Sequence, residues 1–252
     1  MRKGLMPGLG RWEKARKVLA GLSVFVLIFG GWVWMWSRAA SAEAALIAAS
    51  PLPDTRAPDS YCALWFVGSS SMHQWDQLSA DMLPWDAHNR GLSGASLPEI
   101  SRRFNNGESG RFPRAIVFYA GENDIAFGVS PKKAFDELKT FIAEKRRQMG
   151  AVPIFILSLK PSPLRWDERP AQIEFNDAVR GLVREQPDLV YVDIVPSLLV
   201  GGKPGAFYNA DGLHLNRDGY VAVRTAVRAA LDRSLPRALV KRCSGSVPPQ
   251  VS

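Results

Sequence analysis

The chain has 252 residues, 46% of them hydrophobic and 22% charged, with a formal net charge of +8 at pH 7. That length and balance suit one sizeable folded core with added segments. The excess charge sits at the front: residues 1–42 carry seven basic side chains against one acid, the remainder 25 against 23, so the folded part is nearly neutral and a nucleic-acid partner is not expected.

In chain order, residues 1–17 form a basic segment, and residues 18–37 are an uncharged run of twenty, VLAGLSVFVLIFGGWVWMWS. At about 1.5 Å rise per residue such a helix crosses a hydrocarbon core of roughly 30 Å. Trp32, Trp34 and Trp36 crowd its far end, where aromatic rings favour the headgroup layer. The positive-inside bias keeps residues 1–17 cytoplasmic and exports the rest, which predicts a single-pass anchor in an inner (cytoplasmic) membrane with the remaining chain on its extracytoplasmic, periplasmic side. The alternative is secretion after cleavage near Ala42, since Ala40-Ser41-Ala42 resembles a small-residue cleavage site. Residues 38–60 are Ala-rich and then carry Pro51, Pro53 and Pro58, which predicts a linker.

The folded domain is expected over residues 61–238, with a loose tail at 239–252. Short apolar runs recur at Ala63–Val67, Ala87–Gly91, Ala115–Ala120, Val152–Leu159 and Leu189–Ile194. Helical segments lie between them, most clearly Pro131–Met149, Ala171–Glu185 and Arg217–Asp232. Ser130, Pro131 and Gly150 stand where a helix takes its N-cap, first position and stop. The alternation predicts an α/β fold, a flavodoxin-like three-layer α/β/α sandwich on a five-stranded parallel sheet. In such a sheet reactive groups gather outside the carboxyl ends of the strands. The last helix would run from that edge back to where the first strand begins. This brings Cys243 near Cys62, and a disulfide between them is expected in an oxidising compartment.

Four polar clusters fall at the carboxyl edge. After the first strand comes Gly68-Ser69-Ser70-Ser71, where a hydroxyl at a strand-to-helix turn sits beside backbone N–H groups; an ordinary helix cap is the plain alternative. After the second comes Asn89-Arg90-Gly91-Leu92-Ser93-Gly94, in which Gly94 allows close backbone approach to a developing oxyanion. After the third comes Gly121-Glu122-Asn123-Asp124, with an amide able to donate to the same oxygen, or simply a turn. Before the last helix stands Asp211-Gly212-Leu213-His214, a carboxylate spaced to orient an imidazole. Together they supply nucleophile, base, orienting carboxylate and oxyanion donors for acyl transfer, with no metal and no cofactor required.

These four blocks, in this order over roughly residues 61 to 235, resemble the GDSL/SGNH hydrolase superfamily. The resemblance implies Ser70 as nucleophile, His214 as general base, Asp211 as its orienter, and Gly94, Asn123 and the Ser70 N–H as the oxyanion hole. One departure stands in the first block: Ser69 replaces the family's Asp, so the nucleophile is located by counting from Gly68 and Trp75, with Ser71 second. Sequences with a Gly-Ser-Ser-Ser block resemble a subgroup similar to the catalytic subunits of platelet-activating-factor acetylhydrolase, which implies short acyl groups such as acetyl. The expected substrate is an ester, whether lipid, acetylated glycan or small molecule. An O-acyltransferase acting on cell-envelope glycans and a non-catalytic binding module are the competing readings. A Rossmann-type nucleotide site lacks its glycine spacing here. Lys160 and Arg165, in the loop after the fourth strand, read as solvated charges, the alternative being contacts to an anionic group of the substrate, and Trp75 and Phe127 as core aromatics or walls of an acyl pocket.

Overall fold

All six residues of the first strand, β1 (Ala63–Gly68), are buried, as are all five of β3 (Ala115–Tyr119) and all four of β4 (Ile154–Leu157). A strand covered on both faces must be apolar throughout, which is why these segments read as unbroken hydrophobic runs. They come from a computed structural model that describes residues 49–54, 60–105 and 112–245. The chain divides into two units, Met1–Ala49 and Ser50–Ser252, and the fold is that of the second. The expected membrane-spanning segment 18–37 lies outside the described residues; among those described, no helix is long and apolar enough to cross a membrane.

With β2 (Asp86–Gly91) and β5 (Leu189–Val192), the strands pair in parallel in the order β2-β1-β3-β4-β5. The helices are α1 (Ser70–His73), α2 (Leu78–Met82), α3 (Leu97–Asn105), α4 (Glu122–Ala126), α5 (Pro131–Met149), α6 (Arg169–Val183), α7 (Arg217–Ser234) and α8 (Arg237–Gly245). The order is that of flavodoxin-like sheets, and it reverses between β1 and β3, so a crevice opens outside the carboxyl ends of those two strands. An antiparallel pair, β6 (Leu199–Val200) and β7 (Lys203–Pro204), follows β5.

Local chemistry sets the ends of these elements. The Ser130 side chain accepts from the Lys133 N–H, Pro131 opens α5, and Gly150 N–H closes it on the Arg146 carbonyl at 2.9 Å. Asn216 caps α7 by accepting from the Gly219 N–H at 3.0 Å, and Tyr220, Val223, Val227 and Leu231 turn inward at helical spacing. Elsewhere the bounds differ from expectation. Arg169 starts α6 two residues early, with Pro170 in its first turn. β4 begins only at Ile154, after Pro153, and ends at Leu157, two residues short of the apolar run.

The described parts of two segments read as loose are packed. In the expected linker, Leu52 is 2% exposed, the Pro51 carbonyl accepts from Arg103 Nη2 at 3.2 Å, and Asp54 lies 3.3 Å from His88 Nδ1. One apolar side chain with a cavity to fill outweighs the prolines around it. The expected tail is helical through residue 245, because Leu239 and Val240 pack on the core and Cys243 is fully buried. Cys243 is bonded to Cys62, with their Cα atoms 5.6 Å apart, so the disulfide expected from the topology is present.

Candidate active site

The Gly68-Ser69-Ser70 turn is set by close approach between β1, β3 and α1. A Cβ on Gly68 would lie 2.1 Å from the Tyr119 carbonyl oxygen, and one on Gly91 would lie 2.2 Å from the His73 nitrogen. Only glycine lets β2 and β3 come this close to the turn. The Ser69 N–H donates to the Tyr119 carbonyl at 3.0 Å, and the Ser69 carbonyl accepts from Met72 and His73 N–H groups at 3.0 and 3.1 Å. Ser69 is therefore the residue before the helix and Ser70 its first residue. The Ser69 side chain makes no capping bond. His73 ends α1, and His88 lies in β2 between Asp54 and Asp86.

Ser70 Oγ lies 2.9 Å from His214 Nε2, and His214 Nδ1 lies 2.6 Å from Asp211 Oδ2. The other Asp211 oxygen accepts from the Leu213 and His214 N–H groups at 2.8 and 3.0 Å. Partial burial pushes the Asp211 carboxyl up, but the hydrogen bonds from His214 and these two N–H groups outweigh it and hold the pKa at about 2. An ionised Asp211 keeps the imidazole hydrogen on Nδ1 and leaves Nε2 to accept the Ser70 O–H. The turn is pinned from outside by Leu164 N–H donating to the Gly212 carbonyl at 2.9 Å and by Asn209 N–H donating to the His214 carbonyl at 2.8 Å.

Across the crevice, Asn123 is 5% exposed and donates one amide hydrogen to the Ala95 carbonyl at 3.0 Å. The NH2 group has a second hydrogen. Gly94, next to Ala95, has φ +69° and nothing within 4 Å of where a Cβ would stand, so its backbone borders open space. The neighbouring Asp124 carboxylate caps α3, both oxygens accepting from Leu97 N–H at 3.1 Å. Burial raises its pKa although that N–H pulls it back. The structure thus joins Ser70, His214 and Asp211 directly and ties Asn123 to the loop that holds Gly94.

Two expectations fail in the loop after β4. Lys160 is 1% exposed rather than solvated: its Nζ pairs with buried Glu122 Oε2 at 2.6 Å, and Tyr119 Oη donates to the same oxygen. Arg165 Nη1 lies 3.8 Å from Glu122 Oε1 and is mostly covered. A lysine between an apolar strand and two prolines looks like a loop charge until its partner, 38 residues away, is known. Trp75 is a core residue, stacked on Tyr220 with its Nε1–H donating to Asp81, whereas Phe127 is 74% exposed.

Two open clefts adjoin the triad turn. One of about 440 Å³ has polar Gln74, Asp76, Asn209, Asn216 and Arg217 beside apolar Trp75, Leu215 and Tyr220 in its lining. The other, about 310 Å³, is lined by Pro163, Trp166, Lys203 and Pro204. Among the described residues, no three His, Cys, Asp or Glu side chains are grouped to hold a metal ion.

The model of a family described as GDSL-like Lipase/Acylhydrolase matches residues 37–222. Among solved structures, a member of the lipolytic G-D-S-L family from Veillonella parvula is 17% identical, covers 68% of this chain and 98% of its own, and superposes with a TM-score of 0.59. A GDSL-like lipase from Bacteroides thetaiotaomicron is 20% identical, with coverage of 79% and 98% and a TM-score of 0.57. A family 3 carbohydrate esterase from Clostridium thermocellum is 17% identical, with coverage of 72% and 98% and a TM-score of 0.57. At these identities the likeness is one of fold. No curated protein matches the sequence.

Proposed function

The chain belongs to the GDSL-like lipase/acylhydrolase family and is an ester hydrolase of that type, and from this premise we propose that it cleaves short acyl esters through a covalent intermediate on Ser70. The observation that carries the reading is the continuous chain Ser70 Oγ, His214 Nε2, His214 Nδ1, Asp211 Oδ2, with links of 2.9 and 2.6 Å.

In the first step Ser70 Oγ attacks the ester carbonyl as His214 Nε2 takes its proton. The tetrahedral oxyanion is held by the Ser70 and Gly94 N–H groups and the Asn123 amide, then collapses as His214 protonates the departing alcohol. In the second, water attacks the acyl-enzyme with His214 again as base, and the carboxylic acid leaves with Ser70 restored.

We further infer that the acyl group is acetyl-like and the alcohol polyhydroxylic, an acetylated glycan being the favoured class. Supporting this are the amide, carboxylate and guanidinium groups lining the cleft beside α1, and a shared fold with a carbohydrate esterase. The proposed place of action is the extracytoplasmic face of a membrane, with residues 18–37 as anchor; the Cys62–Cys243 disulfide supports an oxidising compartment.

The test is hydrolysis of p-nitrophenyl esters from acetate to decanoate, and of acetylated xylan, by the full chain in detergent beside Ser70→Ala and His214→Ala. The reading expects hydrolysis falling with chain length and lost in both folded variants. Activity that survives Ser70→Ala overturns the nucleophile assignment. Acyl transfer to a glycan acceptor without hydrolysis would make the chain a transferase.

A further inference from the structure

We propose that the buried Lys160–Glu122 ion pair is a positioning pair for ester hydrolysis, tying the loop that backs the Asp211–His214 turn to the helix that carries Asn123. The inference rests on the serine-esterase reading above. Lys160 and Glu122 are 1% and 3% exposed, and their Nζ–Oε2 distance is 2.6 Å. Taking two charges out of water costs nearly what their attraction returns, and an apolar pair of similar size serves stability as well or better. Stability alone therefore does not account for this pair, whereas its position between two parts of the site does.

Each partner is one short step from the site. Glu122 opens α4 and is bonded covalently to Asn123. Its carboxylate is gripped twice on the same oxygen, by Lys160 Nζ and Tyr119 Oη, so the first turn of α4 cannot rotate without breaking a buried charged contact. Lys160 is itself fixed: its N–H points at Tyr119 Oη at 3.4 Å, and Asn176 of α6 clasps the preceding Leu159 through both N–H and carbonyl, at 2.7 and 3.1 Å. From Lys160 the chain leads to Pro161, whose carbonyl accepts from Tyr208 Oη, and to Leu164, whose N–H holds the Gly212 carbonyl between Asp211 and His214. The pair therefore links the Asn123 side of the crevice to the His214 side through Glu122 and the loop from Lys160 to Leu164. Displacements near 1 Å at a reacting centre can cost about a hundredfold in rate.

The experiment compares wild type, Lys160→Met, Glu122→Gln and the double variant, with Lys145→Met as control. Lys145 is another buried lysine, paired with Asp188 ahead of β5 at the sheet edge opposite the site. Lys160→Met alone strands a buried carboxylate, so its Tm should drop sharply. The double variant removes both charges while keeping size, and its Tm should return close to wild type. Its kcat on p-nitrophenyl acetate should nevertheless be about 10- to 100-fold lower, with KM within about twofold. Its Asn123 side-chain amide resonances should also move. Lys145→Met should leave kcat and those resonances unchanged. If the double variant does not fold, Glu122→Gln is read instead on kcat and the Asn123 resonances of its folded fraction: its amide oxygen can still accept from Tyr119 Oη and Lys160 Nζ, although its Tm should also fall because the Lys160 charge loses its partner. Wild-type kcat in the folded variant, or a loss confined to KM, overturns the proposal. A wild-type protein inactive on every ester sinks the esterase reading instead, and unmoved Asn123 amides would then sink the pair on their own.

Discussion

His214 Nε2 stands 2.9 Å from Ser70 Oγ although 144 residues separate them in sequence. The contact exists because β1 delivers Ser70, and the loop before α7 delivers His214, to the same edge of the sheet. That contact is what favours Ser70, among the three serines, as the proposed nucleophile. Ser70→Ala should lower kcat at least about a thousandfold, whereas Ser71→Ala should keep most of it. Mass spectrometry of the protein labelled with a fluorophosphonate checks this, and an adduct on Ser71 would refute it.

Asn123→Ala should cost a few hundredfold in kcat, the usual worth of one oxyanion donor at about 3 kcal/mol. The same change leaves the buried Ala95 carbonyl without its 3.0 Å partner, worth about 1–2 kcal/mol of stability. Kinetics and melting therefore separate the two roles. A variant that melts lower but turns over normally removes Asn123 from the chemistry.

Asp211 is held at about 2 by its three hydrogen bonds, so it stays ionised throughout the range in which the enzyme can be assayed. The pH–rate profile from 8 down to 4 should contain no inflection belonging to it. Asp211→Asn should lower kcat by roughly two to four orders of magnitude at every pH, by losing the tautomer that leaves Nε2 free. A variant that regains wild-type rates at high pH would contradict this.

Asp188 accepts from Arg146 and Lys145, and the Arg146 bond leads in depressing its carboxyl to about 2. Its folded pKa lies below the unfolded value near 3.9, so the stability it contributes is present above about pH 4 and lost as pH falls through about 2. Melting curves should show wild type losing stability over that window faster than Asp188→Asn, by on the order of 1 kcal/mol after solvent screening. Parallel curves would dismiss the linkage.

Cys62 and Cys243 are 181 residues apart, and opening a loop of that length costs up to about 5 kcal/mol on chain-entropy grounds. Cys243→Ser should melt well below wild type. Because Cys62 precedes β1, at the end of the sheet away from Ser70, kcat of the folded fraction should be unchanged. A matching fall in kcat would show coupling that the fold does not provide.

Much of this architecture is written in local patterns. The five strands are legible because burial on both faces demands apolar runs, and α5 because Ser130, Pro131 and Gly150 each carry their own conformational reason. The approach of Asp211 to His214 follows from a three-residue spacing across a turn. What was not legible depends on distant partners. Lys160 becomes a buried charge only because Glu122 and Tyr119 meet it. Leu52 becomes core only because Trp65, Phe104 and Met149 leave it a recess. Composition cannot report either, since both are decided by tertiary packing.

With Cα atoms 5.6 Å apart, Cys62 and Cys243 close the folded domain into a covalent ring that contains the whole sheet. A protease nick at the exposed Gly201–Gly202 turn between β6 and β7 would place Ser70 on one fragment and His214 on the other, yet leave the two tethered at the far end. The ring also gives circular permutants a ready-made joint: a fragment cut at Cys62 and Cys243 has ends that already meet, and new ends can be opened at that hairpin.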